Sequence, residues 1–237
     1  MMQRAYVLHH RPFRESSVIV NLLVDGVGRV DAITRVGNGK RSIKSILQPF
    51  QPLLVQFRYQ PKSSASGLQT LSQIEPASVA LPLQGDSLYS GMYLNELLVR
   101  LVKVEHQAES LFVAYHQTLL KLAGEFHPNL LRYFEKQLLQ ELGALPQLEY
   151  DTLGEKIEAD SSYLLIAESG FQVVYRGNNQ AMNHAKGTLS GAMLLALSQH
   201  ELLPAHINQA KGLMRNLLAP LLGNKPLLSR KLFRRER

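Results

Sequence analysis

The chain has no cysteine and no tryptophan among its 237 residues. Without thiols there is no disulfide framework, no thiolate nucleophile, no iron–sulfur cluster and no zinc site built on cysteine. Long apolar runs are missing as well. No stretch approaches the roughly 18 uncharged residues that a membrane helix needs, and the opening Met1 to His10 lacks the apolar core of a secretory leader. These absences set the expectation of a cytoplasmic protein. What is present is an ordinary globular composition, 45% apolar and 19% charged, in a chain long enough for one large core or two small ones.

Chemical motifs fail residue by residue. Gly39-Lys40 is followed by Arg41 instead of Ser or Thr, and Thr34 stands where the first glycine of a phosphate loop belongs. Gly26-Val27-Gly28 meets Asp31 where a dinucleotide fingerprint needs its third glycine. His200-Glu201 has its next histidine only at His206, with Pro204 breaking the helix that would align a zinc pair. His9, His10, His106, His116, His127 and His184 have no ligand spacing. The pairs Glu135/Glu141 and Glu155/Glu158 fall in an acidic stretch, where solvated carboxylates are the default. Neither a catalytic centre nor a metal or other cofactor is expected.

Charge is the informative feature, because its total conceals its distribution. The net +7 comes from 26 Lys and Arg against 19 Asp and Glu. Residues 1–80 hold 10 basic and 4 acidic groups, residues 81–205 hold 8 and 14, and residues 206–237 hold 8 and 1. Two basic ends flank an acidic middle, and ends brought together would make one surface suited to a polyanion.

Five short runs rich in Val, Ile, Leu and Tyr predict strands at 4–10, 16–24, 29–36, 53–59 and 68–75, separated by Gly, Pro and Asn turn signals. An OB-fold is the common five-stranded barrel of this size, and an SH3-like barrel fits the pattern nearly as well. Beyond Pro82 the apolar period becomes helical. Helices are expected from Asp86 or Ser87, as N-cap, to about Val104, from Ala108 to Ala123, and from Pro128 to Leu142, the three packing as a bundle. A hairpin follows at 163–167 and 171–175, then helices at 190–200 and 206–222. The fold class is therefore α+β: a barrel domain over 1–80 and a mainly helical domain over 81–237 with an inserted hairpin and a basic terminal segment.

Arg35, Lys40, Arg41 and Lys44 surround the flexible Gly37-Asn38-Gly39, placed to lay cations along a nucleic-acid backbone. Tyr6, Phe13, Phe57 and Tyr59 are available either for base stacking or for the barrel core. At the far end Arg230, Lys231, Arg234, Arg235 and Arg237 form either a frayed tail or, given Leu227, Leu228, Leu232 and Phe233, a partly docked one. An OB-fold adaptor without a DNA role and a metal-dependent nuclease are the rival readings.

Several segments in order resemble the RecO family of bacterial recombination mediators: Arg4-Ala5-Tyr6-Val7-Leu8-His9, Gly28-Arg29-Val30, Gly39-Lys40-Arg41-Ser42, Tyr93-Leu94-Asn95-Glu96-Leu97-Leu98, Arg132-Tyr133-Phe134-Glu135 and Lys225 to Arg234. The resemblance implies an OB-fold followed by a helical domain and a non-enzymatic role in DNA repair. That role is to bind single- and double-stranded DNA, anneal complementary strands and, with RecR, help RecA replace single-strand-binding protein. It implies a nucleoid-associated protein; the charge clusters together with the family segments set the expectation of DNA contacts at Arg29, Arg35, Lys40, Arg41, Lys44, Arg230, Lys231, Arg234 and Arg235. It also implies a site for the acidic C-terminal tail of single-strand-binding protein. Leu111, Tyr115, Leu119 and Leu122 would take the apolar tip, and Lys121 and Arg132 the carboxylates, although each leucine equally fits a core position. Many family members carry four zinc-binding cysteines, for which this sequence has no counterpart.

Overall fold

The computed structural model describes residues 1–37, 42–58, 67–104, 108–175 and 187–233. They form two compact units, one of residues 1–127 with 224–237 and one of residues 128–223.

The first unit is built on a closed barrel, in the order β1-β2-β3-β5-β4. Its strands are β1 (Gln3–Phe13), β2 (Ser17–Val24), β3 (Gly28–Arg35), β4 (Leu53–Phe57) and β5 (Gln69–Pro76). Antiparallel pairs carry most of the wall, and a short parallel seam pairing Ala32 with Gln69 and Ile33 with Thr70 closes it. Alternation sends Val18, Val20, Leu22 and Val24 of β2, with Val30 and Ala32 of β3, into the core. A register shift between Val7 and His9 turns the second half of β1.

Two helices of the same unit, α1 (Gly85–Leu101) and α2 (Glu109–Ala123), pack against one half of the barrel's outer face. Helix α1 starts two or three residues earlier than the Asp86 or Ser87 cap predicts: Gln84 is its N-cap, and Asp86 lies in the first turn where its charge suits the helix dipole. Gly91 lets α1 approach closely, since a Cβ there would lie 2.7 Å from the Phe50 ring. Of the three helices expected to pack as a bundle, α1 and α2 belong to the first unit, and the third belongs to the second.

The second unit contains α3 (Asn129–Glu141), strands β6 (Ser162–Ile166), β7 (Gly170–Val174) and β8 (Leu189–Ser190), and helices α4 (Gly191–Gln199) and α5 (Ile207–Leu222). The predicted hairpin gains a third strand, giving the order β7-β6-β8. Gly191 is required there: a Cβ would fall 1.9 Å from the Glu158 carbonyl oxygen. Lys136 closes the C-terminus of α4 by donating to the carbonyls of Leu197 and Ser198, and burial lowers its pKa.

Candidate nucleic-acid interface

The register of β1, β2 and β3 lines up four rows of side chains on the outside of the barrel: Tyr6/Leu23/Arg29, His9/Asn21/Asp31, Arg11/Ile19/Ile33 and Phe13/Ser17/Arg35. The first row is closed off. Tyr6 is buried and hydrogen-bonds His116 of α2 at 2.6 Å, and burial pushes its phenol up to about 12 against a smaller opposing effect of Arg4. Arg29 donates to the carbonyls of Val99 and Val102, at 2.8 and 2.9 Å, and to the Asp31 carboxylate. It thereby satisfies carbonyls that the end of α1 leaves without helical partners.

The last two rows are open at their arginines, with Ile19 between them buried. Arg11 and Arg35 are exposed and have no ion pair among the described residues, while Phe13 is half-buried under Arg14, whose guanidinium lies 5.2 Å from the ring centre. Arg14 adopts a positive φ of 54°, which turns the tip of the β1–β2 hairpin. Beside these rows a groove of about 640 Å³ runs over the β3–β5 seam, lined in part by Ser17, Ile33, Arg35, Ile43, Arg58 and Thr70. Cations, hydroxyls and an aromatic ring on one strand face provide phosphate contacts and a stacking surface.

Of the predicted DNA-contacting residues, Arg35 borders this groove and Lys44 is exposed on the short turn after it. Arg29 is engaged in the contacts above. Lys40, Arg41, Arg234 and Arg235 lie outside the described residues, as does Tyr59. Phe57 is core. Arg11, Arg14 and Arg58 were not anticipated, yet the first two flank Phe13 in sequence, a visible pairing of cations with an aromatic. Arg230 and Lys231 are exposed on a C-terminal segment that belongs to the barrel's own unit.

For the tail site, Leu111, Tyr115, Leu119 and Leu122 are fully buried in the first unit, and the Tyr115 hydroxyl donates to Asn95, which in turn donates to the Leu8 carbonyl. Lys121 is exposed on α2. Arg132 is buried on α3 in the second unit and donates to Glu135 at 2.7 Å. Glu135, expected to be solvated, is therefore half of a buried ion pair, because the i, i+3 spacing puts both groups on the inward side of α3.

Two family descriptions match the chain: Recombination protein O N terminal over residues 1–80 and Recombination protein O C terminal over residues 82–231. The chain belongs to the RecO family. Among its relatives, the DNA repair protein RecO of Stutzerimonas stutzeri is 41% identical over 98% of this chain and 93% of its own length. The RecO of Pseudomonas putida is 41% identical over 98% and 97%, and that of Pseudoalteromonas translucida 38% over 97% and 96%. RecO membership places the chain in DNA repair and recombination. The two RecO descriptions meet between β5 and α1, whereas packing assigns α1, α2 and the C-terminal segment to the barrel's unit.

The four zinc-binding cysteines that the family resemblance implies for many members do not fit this sequence, which has no cysteine. The β7-β6-β8 sheet is held by packing, with Phe171 and Tyr163 buried and the Tyr163 hydroxyl accepting from the Glu158 amide. Among the described residues no helix is long and apolar enough to cross a membrane.

Proposed function

We propose that this chain is a non-enzymatic annealing mediator that binds DNA strands on the open half of the barrel face and on cations of the same unit. The observation that carries this reading is the set of exposed cations Arg11, Arg35 and Arg58 around Phe13 and the groove over the β3–β5 seam. Like charges on two strands resist approach. Lys and Arg side chains that neutralise phosphates release counterions and lower that resistance, so complementary bases meet. No bond is broken in this scheme, and the protein acts at the nucleoid.

In the same reading RecR and single-strand-binding protein are partners, and RecA follows as the protein loaded. The acidic tail of single-strand-binding protein, with its apolar tip, needs exposed apolar groups beside a cation. Val113 and Leu120, both exposed and two helical turns apart on the same side of α2, and the neighbouring Lys121 supply these at the surface. The buried leucines of α2 then act as the core that holds this face.

The deciding experiment is strand annealing in EDTA, with product and strand integrity followed together. Annealing of intact strands supports the mediator; metal-dependent cleavage would support a nuclease, and absence of any DNA binding a protein-only adaptor.

A further inference from the structure

The C-terminal segment is held by two charged side chains of α1, one for each polarity of its backbone. Glu96 accepts from the amides of Leu228 and Ser229, both at 2.8 Å, and from the Ser229 hydroxyl at 2.6 Å. One turn further on, Arg100 donates to the carbonyls of Lys225 and Pro226, at 2.6 and 3.1 Å. Leu227 is buried beside them, and Phe233 packs edge-on against Tyr89 of α1 with ring centres 5.8 Å apart. Docking thus engages the segment's backbone, one hydroxyl, Leu227 and the edge of Phe233, and none of its own charge. Lys225, Arg230 and Lys231 remain exposed, with no ion pair among the described residues.

We propose that this docked segment is a second backbone-binding site for nucleic acid, distinct from the barrel face, and that Glu96 is its positioning residue. The proposal rests on the reading given under Proposed function, and adds that one chain holds two strands at once. A free basic tail would lose conformational entropy each time it met a phosphate backbone, whereas a segment already fixed on α1 meets it preorganised. Its site and the barrel face stand on different elements, α1 and the strands β1–β3, so occupancy of one leaves the cations of the other available. The ligand it fits is a phosphodiester chain: the exposed, spaced cations Lys225, Arg230 and Lys231 recognise phosphates without reading bases.

Two oligodeoxythymidine strands, one with a donor dye and one with an acceptor, cannot pair with each other, so energy transfer on the full chain reports two strands held together without annealing. Arg230→Glu with Lys231→Glu is expected to lower second-strand capture about tenfold while first-strand affinity falls less than threefold. Glu96→Ala, an exchange that favours the helix, is expected to reproduce that split, and Glu96→Gln, which keeps an acceptor oxygen, to restore part of the capture. Adding Glu96→Ala to the charge-reversed segment should cost nothing more, since a residue that acts only by positioning has nothing left to position. Equal loss of both binding events, unchanged capture in the charge-reversed variant, or additive loss in the triple variant would overturn the proposal. A wild-type chain that binds one strand but never two would overturn it too, with the mediator reading intact; a chain that binds none would remove both.

Discussion

Arg29 and Arg35 stand on the same outward face of β3, six residues apart, and do opposite work. Arg29, at the helix-covered end, donates from both terminal nitrogens to α1 carbonyls and Asp31; Arg35, at the open end, borders a groove and is exposed to solvent. Formal charge treats them alike. Their difference is set by what they meet: Tyr6 and Arg29 are engaged by α2 and α1, and Ser17 and Arg35 line the groove. A cation that serves the fold and a cation available to DNA are told apart by their partners.

The sharpest test of that distinction is the most enclosed cation. Arg132 pairs with Glu135 inside the second unit, where removing one member leaves an uncompensated buried charge. Arg132→Ala is expected to destabilise that unit by about 3 to 5 kcal/mol, measured by urea denaturation followed by circular dichroism. A loss below about 0.5 kcal/mol, the level of an ordinary surface change, would return Arg132 to the class of available cations. Because the expected loss is large, Lys121→Glu is the cleaner probe of tail binding.

Arg29 comes next. Arg29→Ala removes charge-assisted hydrogen bonds to two carbonyls and a carboxylate, and an expected cost of about 2 kcal/mol follows from the usual worth of such bonds. Affinity for single-stranded DNA should stay within about twofold, as befits a group whose two terminal nitrogens donate within the fold. If instead fluorescence anisotropy showed DNA binding lost with stability unchanged, the two ends of β3 would not differ as their contacts require.

Much of the scaffold was legible in the sequence because it rests on local periodicity. Alternation in 17–24 and 28–35 located two strands within a residue or so, and the leucine spacing of 109–123 located α2. Those leucines could not be sorted into core or pocket by spacing alone, since burial depends on what packs over them. The fate of each cation was hidden for the same reason: Arg29 meets Val99 across 70 residues and Glu96 meets Ser229 across 133. Arg132 and Glu135 stand three residues apart on one side of a helix, a local signal of pairing that the sequence reading passes over when it gives Arg132 to a ligand's carboxylate and Glu135 to solvent.

At the open end the effect moves from stability to binding. Charge reversal of Arg11 and Arg35 together should leave the denaturation midpoint nearly unchanged, within about 0.5 kcal/mol, because neither side chain has a partner to lose among the described residues. Affinity for single-stranded DNA should fall about tenfold or more, and the slope of log affinity against log salt should flatten by about 1.4, at roughly 0.7 per phosphate contact. An unchanged slope would remove these arginines from the interface, and a large stability loss would move them into Arg29's class.

The smallest expected effect concerns a carboxylate that serves the C-terminal segment as Arg29 serves α1. Burial alone would raise the Glu96 pKa, but the Ser229 hydroxyl, the amides of Ser229 and Leu228, and Arg100 outweigh it and hold the group below its usual 4.5. The ionised form is thus favoured when the segment is docked, so docking gains stability that is present above the unfolded value of about 4.5 and is lost as pH falls through the lower folded value. Amide hydrogen exchange at Leu228 and Ser229 should therefore lose protection on acidification below that point, after allowance for the intrinsic pH dependence of exchange. Glu96→Gln should flatten the protection profile, since a neutral amide has no proton to take up. Protection that falls equally in wild type and variant would assign the acid response to other groups and leave Leu227 and Phe233 as the main holders of the segment.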